Sequence, residues 1–399
     1  MIMKKALLLC ASHNDLGLIR VLRKLGYYII VTGNMEGAPG QKWCDKYIKA
    51  DYSDKEKILT IAKNEMIDAI VQCCNDFGVY TAAYVAEKLG LPGYDRYETT
   101  LLLHNKDRFK KFAIEHDILT PRSESFVDGN AALAYLKRCK YPVIIKPVDA
   151  SAGNGVSRAD DIVAGETAVK KAFAKSRDNR IVIEPFIIGT QHGFCTFLKD
   201  KKIVAICSNN EYSIKNKYRV EIDTFPADNF YLVKDTLIQQ IEKIADILNL
   251  KDGIFHLQYI FDGEKPQIIE VMRRILGNMY HVPGNELTGI DWEYWETRVR
   301  CGLPLDDMPQ TIKQEGFFAY KTLLAPFNGV VEMICVPKLW DKYIMDEFYL
   351  KKNGDEINSC LSEPVGFLFM MFPSNVEMKR VLIDEYDSNI VRMRGAQYE

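Results

Sequence analysis

Residues 141–158 read YPVIIKPVDASAGNGVSR. Three apolar residues, Val143, Ile144 and Ile145, form a short strand that delivers one lysine, Lys146. Pro147 then stops regular pairing, and a small-residue loop, Asp149 to Ser157, follows. A lysine at a strand end beside a glycine-containing loop suits a phosphate group. Glycines let backbone N–H groups approach an anion, and the ammonium supplies a compact charge. The same arrangement also occurs in ordinary strand–turn connections, so its neighbours must decide.

Composition narrows the field. The 399 residues suggest two or three domains, and 47% hydrophobic with 27% charged residues is an ordinary globular mix. A net charge of −2 argues against nucleic acid or an anionic membrane as the main partner. Ten scattered cysteines include no CxxC pair, which excludes a zinc ribbon or thioredoxin-type site and fits a reducing, cytoplasmic compartment. The start, MIMKKALLLCASHND, combines a basic beginning with an apolar run too short for a leader, and reads as a first buried strand.

Upstream of the lysine, strand–helix–strand units repeat. Lys5–Cys10 and Tyr28–Val31 are strands around a helix at Leu16–Leu25, and Ala69–Gln72 is a strand between two further helices. This predicts a small doubly wound parallel domain. Its first turn, Ala11-Ser12-His13-Asn14-Asp15, lacks GxGxxG, so a nicotinamide cofactor is not expected. Asn75 and Asp76 follow a strand's carboxyl end, where open α/β sheets bind ligands; helix capping is an equal reading. Leu91-Pro92-Gly93 marks a domain boundary. Beyond it, Asn105 is placed to cap a helix that carries Lys106 in its first turn, where the dipole disfavours a cation unless an anion offsets it.

Downstream, Ile181-Val182-Ile183-Glu184-Pro185-Phe186-Ile187 is an apolar strand with one glutamate, suited to covering an adenine ring or, more plainly, to a proline-broken edge. Two strands, Ile254–Phe261 and Gln267–Met272, are joined by Asp262-Gly263-Glu264-Lys265-Pro266. Period two puts His256 and Gln258 on one face of the first, and Glu270, Met272 and Arg274 on one face of the second. A carboxylate, a carboxamide and a guanidinium thus converge, a donor set compatible with Mg²⁺ or with a simple salt bridge. From Asp306 onward the chain reads as short strands and a final helix, a closing sheet without evident chemistry.

In this order the parts resemble the ATP-grasp superfamily, in its carboxylate–amine ligase, biotin carboxylase and carbamoyl phosphate synthetase-like branch. The stretches that carry the resemblance are CCNDFGVYTAAYVAEKLGLPGY, LLLHNKDRFKKF, PVIIKPVDASAGNGVSR, IVIEPFIIGTQ, and HLQYI with IIEVMRR. It implies an α/β and α+β fold: a Rossmann-like pre-ATP-grasp domain at 1–93, a two-lobed ATP-grasp domain at 94–305 with its small lobe at about 120–190, and a β-rich closing subdomain at 306–399. By resemblance, Lys106 and Lys146 contact ATP phosphates, and Ser151, Gly153, Asn154, Gly155 and Val156 form the mobile loop. Glu184, Phe186, Ile187 and Gln191 hold the nucleotide. Glu270 and Gln258 hold Mg²⁺ (or Mn²⁺), and Arg274, with Lys146, serves the transferred phosphoryl group.

Several positions depart from the family pattern. Gln191 and Gln258 stand where acids are usual, Met272 where asparagine is frequent, and Ala152 and Asn154 where glycine and a basic residue are frequent. One well-ordered metal ion, or weaker metal binding, is the expectation from Gln258. The implied activity is an ADP-forming ligase that joins a small carboxylate to an amine through an acyl phosphate. Arg219, Asn278, His281, Asn75 and Asp76 are candidates for the substrate pocket. A homodimer is frequent in the family. Two rivals are a bicarbonate-activating carboxylase or carbamoyl-phosphate-type enzyme, and an ATP-binding regulatory protein without turnover.

Overall fold

The protein is described by a computed structural model, which covers residues 3–150, 153–386 and 390–394. The run KALLL forms β1 (Lys5–Leu9), almost wholly buried, as a strand covered on both faces should be. With α1 (Leu16–Lys24), β2 (Tyr28–Gly33), β3 (Lys46–Lys49), α2 (Lys55–Glu65), β4 (Ala69–Val71) and α3 (Asp76–Leu89), it builds a parallel sheet of order β3-β2-β1-β4. The doubly wound reading of this region holds. Two helices, α4 (Tyr97–His104) and α5 (Lys106–Glu115), lead away from it.

The small lobe is a four-stranded sheet of order β5-β8-β6-β7, built from β5 (Glu124–Phe126), β6 (Val143–Pro147), β7 (Ser157–Ala159) and β8 (Ile181–Pro185). Helices α6 (Gly129–Leu136) and α7 (Ile162–Lys175) cover it, closing a small core around Leu136, Ile145, Ala168 and Ile183. Lys146 and Glu184 are therefore delivered by adjacent strands, because β6 pairs antiparallel with β8.

The large lobe is an eight-stranded sheet of order β13-β12-β9-β10-β11-β14-β18-β16. It contains β9 (Thr190–Lys199), β10 (Lys202–Tyr212), β11 (Ile222–Phe225), β12 (Gly253–Phe261) and β13 (Pro266–Met272). Helix α8 (Phe230–Leu248), set between β11 and β12, packs Leu237, Ile241 and Ile244 with α5 against Phe194, Ile206 and Leu257 on one face. The alternate residues face the other way. Cys195, Cys207, Phe225 and Ile254 meet α9 (His281–Thr288), α10 (Trp292–Arg300) and the N-terminal domain through Trp292, Trp295, Leu18 and Leu22. Where this second face is not covered, it carries polar residues and forms the floor of a cleft.

The tail alters the expected subdomain at 306–399. Strand β14 (Phe317–Leu324) pairs with β11, and β18 (Pro364–Phe372) and β16 (Ile344–Tyr349) extend the same sheet. Only β15 (Gly329–Ile334), β17 (Glu356–Ile357) and β19 (Val391–Arg394) form a separate three-stranded sheet, closed by α11 (Asn375–Lys379). Hydrogen bonding continues across residue 306 because β11, a four-residue strand buried on both faces, offers β14 a free edge. The region thus supports the site, as expected, and also reaches into it through Tyr320.

Candidate active site: a cleft between the two lobes

Small lobe, large-lobe sheet and the start of α5 enclose a cleft of about 460 Å³. Lys106 is the first residue of α5 and is buried. Its ammonium donates to Glu270 Oε1 at 2.9 Å and to the Ala150 carbonyl at 2.8 Å. Burial alone would lower its pKa; the Glu270 carboxylate outweighs this and raises it. A cation in the first helical turn is thus matched by an acid from β13. Asn105, expected to cap this helix, instead donates Nδ2 to the Leu101 carbonyl, and no side-chain cap forms.

Lys146 donates to Glu184 Oε1 at 2.5 Å, and Lys110 lies 3.3 Å from Oε2 of the same carboxylate. All three side chains are buried. Burial pushes the Lys110 ammonium down to about 8, while the two lysines overcome burial and hold Glu184 below its usual range. Lys110 also donates to Thr120 Oγ1 and the Ile268 carbonyl, so it ties α5, the small lobe and β13 together.

Arg274 follows β13 and donates Nε to Asp76 Oδ1 at 2.7 Å, with Nη1 on the Ile275 carbonyl. Asp76 also meets His104 Nδ1 at 3.2 Å. The arginine and His104 overcome burial and hold Asp76 far below its ordinary range. Arg273, on the opposite face as period two requires, is spent on Asp95 and on four backbone carbonyls at residues 251–254.

The two residues expected to hold a metal stand directly opposite one another, because Gln258 and Glu270 are paired in the β12–β13 ladder. Gln258 Nε2 donates to both oxygens of Glu211, at 2.9 and 2.8 Å. A carboxylate plus a carboxamide oxygen beside two buried lysines is a donor set that fits Mg²⁺, which keeps waters and phosphate oxygens as its other ligands. Glu211 itself was not singled out in the sequence. It receives a further hydrogen bond from Gln191 Nε2 at 2.6 Å, and burial raises its pKa.

Gly153 and Arg158 both lie against Tyr218. Gly153 has φ of +72°, and a Cβ there would stand 2.1 Å from the Tyr218 carbonyl oxygen. The Arg158 amide donates to the Tyr218 hydroxyl at 2.8 Å, and the Arg158 guanidinium stacks 4.3 Å from the Phe186 ring centroid.

A family model for the carbamoyl-phosphate synthase L chain, ATP binding domain, matches residues 105–308, just over half of the chain. The chain belongs to that family, an ATP-grasp family. Its match to the carbamoyl phosphate synthase large chain of Clostridium acetobutylicum is 23% identical over 278 residues, 66% of this chain and 25% of that one. The chain therefore spans about a quarter of that relative. Among solved structures, the L-amino acid ligase of Bacillus licheniformis superposes with a TM-score of 0.82 at 18% identity, covering 99% of this chain and 100% of that one. The biotin carboxylase domain dimer of Hydrogenobacter thermophilus 2-oxoglutarate carboxylase, in complex with MgADP, ADP and bicarbonate, has a TM-score of 0.77 at 19% identity over 98% and 92% of the two chains. At these identities the structures show a shared ATP-grasp fold.

Within this ATP-grasp cleft, Lys106, Lys146, Gly153, Val156, Glu184, Phe186, Ile187, Gln191, Arg219, Gln258, Glu270, Arg274, Asn278 and Asn75 all line one space. Asn75 does so while also capping α3 through Phe77 N. Four expectations are corrected. Asp76 is the counterion of Arg274 rather than a free substrate ligand. His281 faces a separate hollow beside Arg20, 3.4 Å from Glu293, because it opens α9 on the side away from the sheet. Asn154 points to solvent and Gly155 is buried against Pro147, so neither lines the cleft. Ser151 lies outside the described residues.

The sequence reading missed Glu211, Asp223, Lys217 and Tyr320, which also line the cleft. Strand β10 runs on to Tyr212, and the alternation through Asn209 to Glu211 was the available signal. No helix among the described residues is long and apolar enough to cross a membrane.

Proposed function

We propose that this protein is an ATP-dependent, ADP-forming ligase that activates a small carboxylate and couples it to an amine. The observation that carries the reading is the convergence of Lys106, Lys146, Glu270 and Arg274 on one cleft from three different elements. ATP would lie with its adenine at Glu184, Phe186 and Ile187 and its phosphates toward Lys106 and Lys146. Glu270 and Gln258 would hold Mg²⁺, which supplies charge neutralisation to the phosphates when bound.

A carboxylate oxygen of the acid attacks the γ-phosphorus, the bond to the β–γ bridging oxygen breaks, and ADP leaves. The amine nitrogen then attacks the acyl carbon and expels phosphate. The chain's own residues position the groups and offset charge: Lys106, Lys146 and Arg274 stand where charge develops. Each already carries a bound acid or carbonyl, so their orientation is fixed before substrate arrives. The loop around Gly153 shields the acyl phosphate from water. A homodimer and a cytoplasmic location belong to the same proposal.

The test is ADP release from Mg-ATP with a panel of carboxylic acids, bicarbonate included, each with and without amines. Acid-dependent ADP release supports the ligase. ADP release with bicarbonate alone would move the protein to the carboxylating branch. Tight ATP binding with no ADP for any acid would make it a nucleotide-binding protein without turnover.

A further inference from the structure

Beyond Gln258 and Glu270, the cleft floor carries two carboxyls that form no ion pair among the described residues. Glu211 on β10 and Asp223 on β11 are direct partners across the ladder. Like charges in that position destabilise a sheet unless a counter-charge stands between them. Asp223 is buried, Glu211 is half-buried, and both line the cleft. Among the described residues the hydrogen bonds to Glu211 come from neutral amides, those of Gln191 and Gln258. Asp223 Oδ1 has no hydrogen-bond partner among the described residues.

Two independent observations point the same way. His256, fully buried on the same face and lining the cleft, has neither ring nitrogen satisfied among the described residues. Buried polar groups without partners are costly, and ones that face a cavity are satisfied by what fills it. Arg219, at the rim under the loop, has no carboxylate partner among the described residues; its guanidinium donates only to the Ser362 carbonyl. One space thus holds an unmatched acid pair and an unmatched guanidinium.

We propose that this space is a zwitterion site: Glu211 and Asp223 bind a primary ammonium group, Arg219 faces the carboxylate, and the substrate class is the free α-amino acid. This rests on the ligase reading and narrows it. A plain carboxylate without an ammonium leaves the acid pair uncompensated and is rejected, because a site built around buried charge discriminates strongly against a ligand that lacks the matching group.

The experiment compares each of the twenty L-amino acids with its 2-hydroxy acid counterpart in Mg-ATP-dependent ADP release, and in equilibrium dialysis with a nucleotide analogue present. The expected result is that at least one amino acid responds and its 2-hydroxy counterpart binds at least tenfold more weakly. Asp223→Asn, and separately Glu211→Gln, should weaken amino-acid binding tenfold or more with ATP affinity retained, which also shows that the variant is folded. Equal binding of hydroxy acids, no response to any amino acid, or unchanged binding in both variants overturns the proposal. Mn²⁺ binding without nucleotide that is lost in Asp223→Asn would assign the acid pair to a metal and also overturn it. ADP release with hydroxy acids but not amino acids would leave the ligase standing while this inference falls.

Discussion

Gln258 Nε2 sits 2.9 and 2.8 Å from the two carboxylate oxygens of Glu211, so the carboxamide on β12 is matched by an acid on β10. Gly193 makes the reach feasible. It stands between Gln258 and Asn209 in the ladder, and a Cβ there would meet the Asn209 carboxamide at 2.3 Å. The departure at Gln258 is therefore a relocation of negative charge by two strands.

A charge swap follows. Gln258→Glu restores the acid more usual in the family, yet it should lower turnover, because it places a second carboxylate against Glu211. Adding Glu211→Gln, itself costly to substrate binding, should cost less in this background than in the wild type, a coupling of about 1–3 kcal/mol in a double-mutant cycle on kcat/KM. Additive effects would show that the two side chains act separately.

Removing Glu270 tests the metal position. Glu270→Gln should cost about 10²–10³-fold in Mg-dependent kcat. It removes the negative charge that offsets the buried Lys106 ammonium, so a retained circular dichroism spectrum must accompany the loss. Turnover at the wild-type rate would take Glu270 out of its role.

Glu184 carries two buried ammonium groups. Glu184→Ala leaves Lys146 and Lys110 without their carboxylate and should destabilise the protein by about 3–5 kcal/mol in urea unfolding. Lys110→Met in the same background should return part of that. A change within about 0.5 kcal/mol, typical of surface sites, would contradict the pairing.

Glu293 gives a pH signature away from the cleft. Burial raises its carboxyl to about 8, and Arg20 at 3.3 Å pulls only weakly because it is more than half exposed. The folded state therefore binds a proton that the unfolded state releases above about 4.5. This contribution is complete below that pH and is lost as pH rises through about 8. Glu293→Gln should be near neutral at pH 5 and more stable than the wild type at pH 8, by on the order of 2 kcal/mol. Parallel stability–pH curves for the two proteins would refute the shift.

Gly153→Ala should open the loop. Its positive φ and the Tyr218 backbone oxygen leave no low-cost accommodation for a Cβ. Faster limited proteolysis within 149–157 and increased substrate-independent ATP hydrolysis are expected. Wild-type cleavage rates would mean that the loop does not rest on Tyr218.

Much of this was legible in the residues. Period two put Gln258 on one face of its strand and Glu270 on one face of the next; that the two stand directly opposite comes from the ladder. The N-terminal units announced their parallel sheet through apolar runs separated by helical stretches. The acid pair was not legible, because Glu211 and Asp223 meet only through β10–β11 pairing, and β11 is four residues long with an acid in a buried strand. Arg274 and Asp76, nearly two hundred residues apart, were both named as candidates, but nothing local reveals that one neutralises the other. Tyr320 was hidden for a similar reason: the tail looked like a separate cover until β14 joined the central sheet.

The central claim is that a substrate carboxylate attacks ATP. The direct measurement uses an acid that supports ADP release, labelled with ¹⁸O in both carboxylate oxygens, with Mg-ATP, an amine and unlabelled water. Mass spectrometry of the released phosphate reads where its oxygen came from. Transfer of one ¹⁸O from the acid into each phosphate is the predicted result. Unlabelled phosphate released alongside ADP would mean that water, not the carboxylate, attacks the γ-phosphorus, and the ligase reading would fall.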